Sequence, residues 1–166
     1  MIADTGKLKV TLPSDREIQL TYEIDAPREL VWKVMNDPAL VSRWWGPRRY
    51  ETIVEQMDFR PGGKFAFINK GQGTSFRFFG EYREIVAPEK VVQTMRFEGD
   101  DGVSGDMGVS TVTLTERDGR TTITDHSLFP SKEERDSALR SGMEDGARET
   151  YERLAELVAE VKRTRV

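Results

Sequence analysis

The end of the chain constrains the fold most. From Ser131 onward the sequence reads as one long amphipathic helix. Ser131-Lys132-Glu133-Glu134 has the form of a capping box, in which the serine hydroxyl and the acidic residue three positions on satisfy free amide groups of the first turn. Met143, Ala147, Tyr151, Leu154, Val158 and Val161 then recur at spacings of three and four, which makes one continuous apolar stripe. At ~1.5 Å per residue such a helix is a rod of about 45 Å. A single domain of 166 residues has a radius of gyration of only ~15 Å. The rod must therefore cross the body of the protein, and what precedes it must supply an apolar surface along its length.

What precedes it is mostly period-two sequence. Leu8, Val10 and Leu12 alternate with polar residues, as do Ile18, Leu20, Tyr22 and Ile24, and Pro13-Ser14-Asp15 between them is turn chemistry. The period then changes. Pro27 suits a first helical turn, and Leu30, Val31, Val34 and Met35 share a helical face. Asp37-Pro38 starts a second, short helix that Gly46-Pro47 ends just after Trp44-Trp45. Alternation returns with Ile53, Glu55, Met57 and Phe59 on one face, then Phe65 and Phe67, then Phe76, Phe78, Gly80 and Tyr82, then Val91, Gln93, Met95 and Phe97. Phe79 and Ile85 fall out of phase, which suggests a bulge or burial on both faces. Residues 98–108 read as a mobile loop, and Asp118-Gly119 is a strong hairpin signal between two last strands. A hairpin, two helices, about six antiparallel strands and a long helix describe one α+β domain. A curved antiparallel sheet packs one face on the terminal helix.

Composition narrows the function classes. The chain has no cysteine, which removes disulfides, thiol nucleophiles and Cys-ligated zinc. With 25 basic and 29 acidic residues it has no electrostatic footprint for nucleic acid. No apolar run reaches the ~18 residues of a membrane helix. Met1 to Gly6 has no leader pattern, so a cytoplasmic location is expected. No phosphate loop, dinucleotide fingerprint or nucleophile elbow is present. The single histidine, His126, cannot easily be oriented by its neighbour Asp125, because adjacent strand residues point to opposite faces. Asp100, Asp101 and Asp106 lack the spacing of a calcium loop and read as solvated. No catalytic residues, cofactor or metal site are expected.

A series of blocks in register then resembles a known family. Asp25-Ala26-Pro27-Arg28-Glu29-Leu30-Val31-Trp32, Arg43-Trp44-Trp45-Gly46-Pro47, Met57-Asp58-Phe59-Arg60-Pro61-Gly62-Gly63, Gly80-Glu81-Tyr82-Arg83-Glu84-Ile85-Val86 and Gly142-Met143-Glu144-Asp145-Gly146 are similar to the bacterial AHSA1-like domain. That domain is related to the C-terminal domain of the activator of Hsp90 ATPase. The resemblance runs over roughly residues 16 to 160. It implies the START-like (SRPBCC) helix-grip fold, in which an antiparallel sheet wraps a long C-terminal helix, often around a cavity. Many members carry a large aromatic near Ala147, and the small residue here implies more room.

On this fold the candidate cavity lining is Trp44, Trp45, Met57, Phe65, Phe67, Phe78, Tyr82, Met95, Phe97, His126, Met143, Ala147 and Tyr151. Large aromatic and thioether side chains suit apolar ligands, and equally suit an ordinary core. Of the two tryptophans, one is expected to plug the core and the other to sit between the short helix and the sheet. Glu55, Arg77, Gln93 and His126 are the polar residues near these faces. Gly142 and Gly146, four apart, suggest close approach of the helix to a strand, or room for a ligand or hinge. The expected partner is an apolar small molecule. The resemblance also implies a chaperone ATPase as partner, or a polyketide cyclase-like activity that needs a titratable group in the cavity. The N-terminal hairpin offers an edge for a homodimer.

Overall fold

The computed structural model describes residues 7–164. Its strands are β1 (Lys9–Thr11), β2 (Glu17–Ile24), β3 (Glu51–Met57), β4 (Lys64–Gly71), β5 (Thr74–Val86), β6 (Lys90–Gly99), β7 (Ser104–Arg117) and β8 (Arg120–Leu128). They form one antiparallel sheet in the order β1-β2-β8-β7-β6-β5-β4-β3. The helices are α1 (Arg28–Asn36), α2 (Pro38–Trp44), α3 (Lys132–Arg140) and α4 (Met143–Thr164).

Local chemistry sets the element boundaries. The Asp37 carboxylate accepts from the Ala39 amide at 2.9 Å, and Pro38, which has no amide hydrogen to satisfy, takes the first position of α2. Asp118 and Gly119 both have positive φ, 54° and 77°, and close the β7–β8 hairpin with a turn that matches strand twist.

Three expectations about elements need correction. The terminal rod is two helices, because Gly142 adopts φ +84° and stops α3 after nine residues. The serine half of the capping box forms, with Ser131 Oγ accepting from the Glu134 amide at 3.2 Å, while the Glu134 carboxylate accepts instead from the Asp106 amide of β7 at 3.2 Å. The remaining α4, 22 residues long, spans about 33 Å. In β3 the register shifts between Val54 and Gln56, so Thr52, Val54 and Met57 face inward and Ile53 is 40% exposed. The loop expected over 98–108 shrinks to four residues, 100–103, since β7 already begins at Ser104.

The inner face of the sheet carries two separate buried clusters. One joins β2, β7, β8, α1 and α4 through Leu20, Tyr22, Leu30, Leu114, Ile123, Leu154 and Val158. The other joins α2 to β4, β5 and β6 through Val41, Phe65, Phe67, Tyr82 and Val91. Burial of each large apolar side chain contributes ~1.5–3 kcal/mol, so both clusters hold their strands firmly.

Candidate functional site

Between the two clusters the inner face is only half-buried. Paired residues on neighbouring strands share a face, so the register identifies the rows that cross it. One row runs Ile18, Ser127, Ser110, Gln93, Tyr82 across β2, β8, β7, β6 and β5. The next runs Leu20, Asp125, Val112, Val91. Ser127, Ser110, Gln93, Asp125 and Val112 are all half-buried, while Ile18 and Tyr82 at the ends are 1% and 3% exposed. Phe78, Phe97 and Met95 continue the half-buried strip on the other side, with Phe78 and Phe97 rings 6.1 Å apart.

Asp125 is the chemical centre of the strip. Its Oδ1 accepts from Ser110 Oγ at 3.0 Å and its Oδ2 from the Tyr151 hydroxyl at 3.1 Å. Tyr151 comes from α4, is itself buried, and stacks on Tyr22 with ring centroids 5.4 Å apart. Asp125 is half-buried on the inner face. Desolvation pushes the Asp125 carboxyl above the usual carboxylate range, against the two hydrogen bonds and the charge of His126 that favour ionisation. Burial, reinforced by Asp125, likewise pushes the Tyr151 phenol well above its ordinary value. Tyr22 is pushed up to about 12, first by burial and then by Glu152 and Glu156.

The candidate cavity residues divide among three places. Trp44 is buried in the first cluster, where its indole N–H has no acceptor, and Tyr151 is buried there too. Met143 and Ala147 lie half-buried against the same cluster. Phe65, Phe67 and Tyr82 form the second cluster, with Met57 and Met95 packed on it. Trp45 is half-buried at the strip and meets Phe67 and Phe78 edge-on at 5.1 and 5.0 Å.

His126 belongs to none of them. It shares the outer face with Gln19 and Thr111, and its Nε2 contacts Glu17. Ile123 fixes the inward phase of β8, so Asp125 and Ser127 face inward and His126 faces out. The same alternation, read from Ile123, is the signal that finds Asp125. Glu55 and Arg77 form an exposed ion pair at 2.9 Å, so of the polar residues singled out only Gln93 lines the strip. Gly142 does not approach a strand, whereas Gly146 lies against Pro47.

A concavity lies between α2 and α4, lined by Arg43, Arg48, Arg153, Glu156, Leu157 and Glu160. Arg43 pairs with Glu160 at 2.8 Å and Arg48 with Glu156 at 2.6 Å. Arg153 donates to the Gly46 carbonyl at 2.7 Å and the Arg43 carbonyl at 3.0 Å. These groups fasten α4 to the end of α2.

The family model for Activator of Hsp90 ATPase homolog 1-like protein matches residues 25–159. The chain belongs to that family. A solution structure of a protein from Arthrobacter aurescens is 31% identical, with a TM-score of 0.82 over 92% of this chain and 91% of that one. A crystal structure of a Mycobacterium smegmatis protein has the same TM-score at 24% identity and shares the fold, covering 92% of this chain and 98% of the other. No curated protein matches. Membership and structural likeness agree with the sheet order and terminal helix, so the α+β helix-grip fold expected from the sequence holds. Among the described residues no helix is long and apolar enough to cross a membrane.

Proposed function

We propose that this member of the Activator of Hsp90 ATPase homolog 1-like family binds a small, largely apolar molecule along the half-buried strip between sheet and α4. One observation carries the reading. The inner face is packed as two separate clusters, and the surface between them leaves aromatic, thioether and polar groups partly uncovered. Apolar walls with a few convergent polar groups are the usual composition of small-molecule sites. Trp45, Phe78, Phe97 and Met95 supply the walls, and Asp125, Ser110 and Gln93 supply the polar groups.

Thermal unfolding with a library of hydroxylated aromatic and aliphatic compounds tests the proposal. A ligand at 100 times its Kd adds about 2.7 kcal/mol to stability and raises Tm accordingly. Met95→Trp fills the strip and is expected to abolish the rise while leaving the fold intact. A library that leaves Tm unchanged would count against binding, as would a rise that persists in Met95→Trp.

The Asp125–Tyr151 pair also favours a second reading, acid–base chemistry on the bound molecule. A carboxyl with a raised pKa, hydrogen-bonded and partly enclosed, is the kind of group that transfers protons near neutral pH. On this reading a compound that binds is also converted, and Asp125→Asn retains binding but loses turnover. Binding without conversion by the wild type removes it.

A further inference from the structure

The polar row has a charge pattern of its own. Among the inward positions of the strip itself, Ser127, Ser110, Gln93, Tyr82, Asp125 and Val112, Asp125 is the one carboxylic acid and no lysine, arginine or histidine stands with it; Glu116 shares the face only at the exposed end of β7. From α4, the group that reaches Asp125 is the Tyr151 hydroxyl; from β7 it is Ser110. His126, its neighbour in sequence, is tied to Glu17 on the outer face. Of the arginines on or beside α4, Arg43, Arg48 and Arg153 are engaged in the cleft beside α2, and Arg148 pairs with Glu144 and Asp145 on α4 itself.

The row also has free hydrogen-bonding capacity. The side chains of Gln93 and Ser127 make no hydrogen bond among the described residues, and neither does the hydroxyl of Tyr82, a residue only 3% exposed. None of these polar atoms is fully enclosed, so each can meet water, and a ligand atom can take that water's place. Ser127 and Tyr82 stand three strands apart, about 14 Å at the ~4.8 Å spacing of a sheet.

We infer that the strip selects electrically neutral molecules with hydroxyl or similar hydrogen-bonding groups along one edge and hydrocarbon along the other, and that Asp125 excludes carboxylates. This rests on the binding reading above. A hydroxyl both donates and accepts, so it satisfies the Asp125 carboxylate, the Gln93 amide or the Ser127 hydroxyl alike. A ligand carboxylate only accepts. Placed beside Asp125 it forms a pair of like charges with no cation on the inner face to share, since His126 acts only from the outer face, and such a pair forms only by taking up a proton. An acid therefore binds less well as pH rises, while a matched alcohol does not. Tyr22 and Tyr151 are held above the range in question and stay neutral.

Isothermal titration with two matched pairs, 2-naphthol against 2-naphthoate and decanol against decanoate, tests the inference. At pH 8 the alcohol of a binding pair is expected to bind at least tenfold tighter than the acid. Between pH 8 and pH 5.5 the gap narrows, through the acid alone. In Asp125→Asn, which keeps the shape and one acceptor, the gap at pH 8 is expected to fall to about threefold or less. An acid that binds wild type as tightly as its alcohol overturns the inference but leaves the binding reading standing. A tenfold gap that neither pH nor Asp125→Asn changes also overturns it. Failure of all four compounds to bind the wild type removes both.

Discussion

At the scale of single residues, two positions carry consequences out of proportion to their size. Gly46 ends α2 with φ +92°, and a Cβ there would stand 2.7 Å from Asn69 Oδ1 and 3.0 Å from Thr52 Oγ1. Those two side chains are buried, and the Thr52 hydroxyl sits between Asn69, at 2.9 Å, and the carbonyl of Trp45. Gly46→Ala combines a left-handed backbone with a broken buried hydrogen bond and is expected to cost about 2–4 kcal/mol in urea unfolding. The displacement reaches Trp45, so ligand binding weakens as well. Asp125 acts through pH. Its folded pKa is raised, so the folded state holds this proton to higher pH than the unfolded chain does, and stability falls as pH rises from about 4 through the folded value. Asp125→Asn is expected to flatten that slope and to be relatively more stable at pH 8 than at pH 4. Glu17 behaves oppositely. Hydrogen bonds from Ser14 and His126 lower its pKa, so its contribution is present above the usual glutamate range and lost on acidification. The two windows separate in a series of urea midpoints from pH 3 to 8.

At the scale of elements, the strands were legible wherever a single face is buried and the period is unbroken. In β2, Ile18, Leu20, Tyr22 and Ile24 alternate without a fault, and all four are in the core. Legibility failed where a bulge resets the period. A window centred on Ile53 and Met57 cannot reveal the extra residue between Val54 and Gln56. The break between α3 and α4 is ambiguous in the sequence for a different reason: the apolar stripe continues in register past Ser141, a hinge is only one of the readings of Gly142, and its backbone angle shows that the chain turns there. Nothing lies within 4 Å of a Cβ built there. Gly142→Ala therefore meets conformational cost alone, about 1 kcal/mol, and is expected to lower Tm by ~2–4 °C. A loss of more than about 3 kcal/mol would mean that the junction is packed in solution. For the site, residue types signalled the aromatic wall. The polar row was hidden because Ser110, Gln93, Asp125 and Ser127 are ordinary on any one strand and converge only through the pairing of three strands.

At the scale of the whole molecule, the fold joins the sheet to α4 at one buried cluster and to α2 at another, and leaves the surface between them less covered. Tyr22, Tyr151 and Leu154 make one anchor, and Val41, Phe67 and Tyr82 the other. The hydrogen bonds of Arg153 to the end of α2 hold the helix at a fixed height above that surface. A ligand entering the strip would touch side chains of one parity only, since neighbours along β6, β7 and β8 face opposite ways. A methyl-detected NMR titration with 2-naphthol tests this most directly. The methyl groups of Met95, Val112, Met143 and Ala147 are expected to shift together and saturably, while those of Val92, Thr111 and Thr124 on the outer face stay still. Shifts of equal size on both faces, or none at saturating compound, would contradict a ligand site between the sheet and its helix.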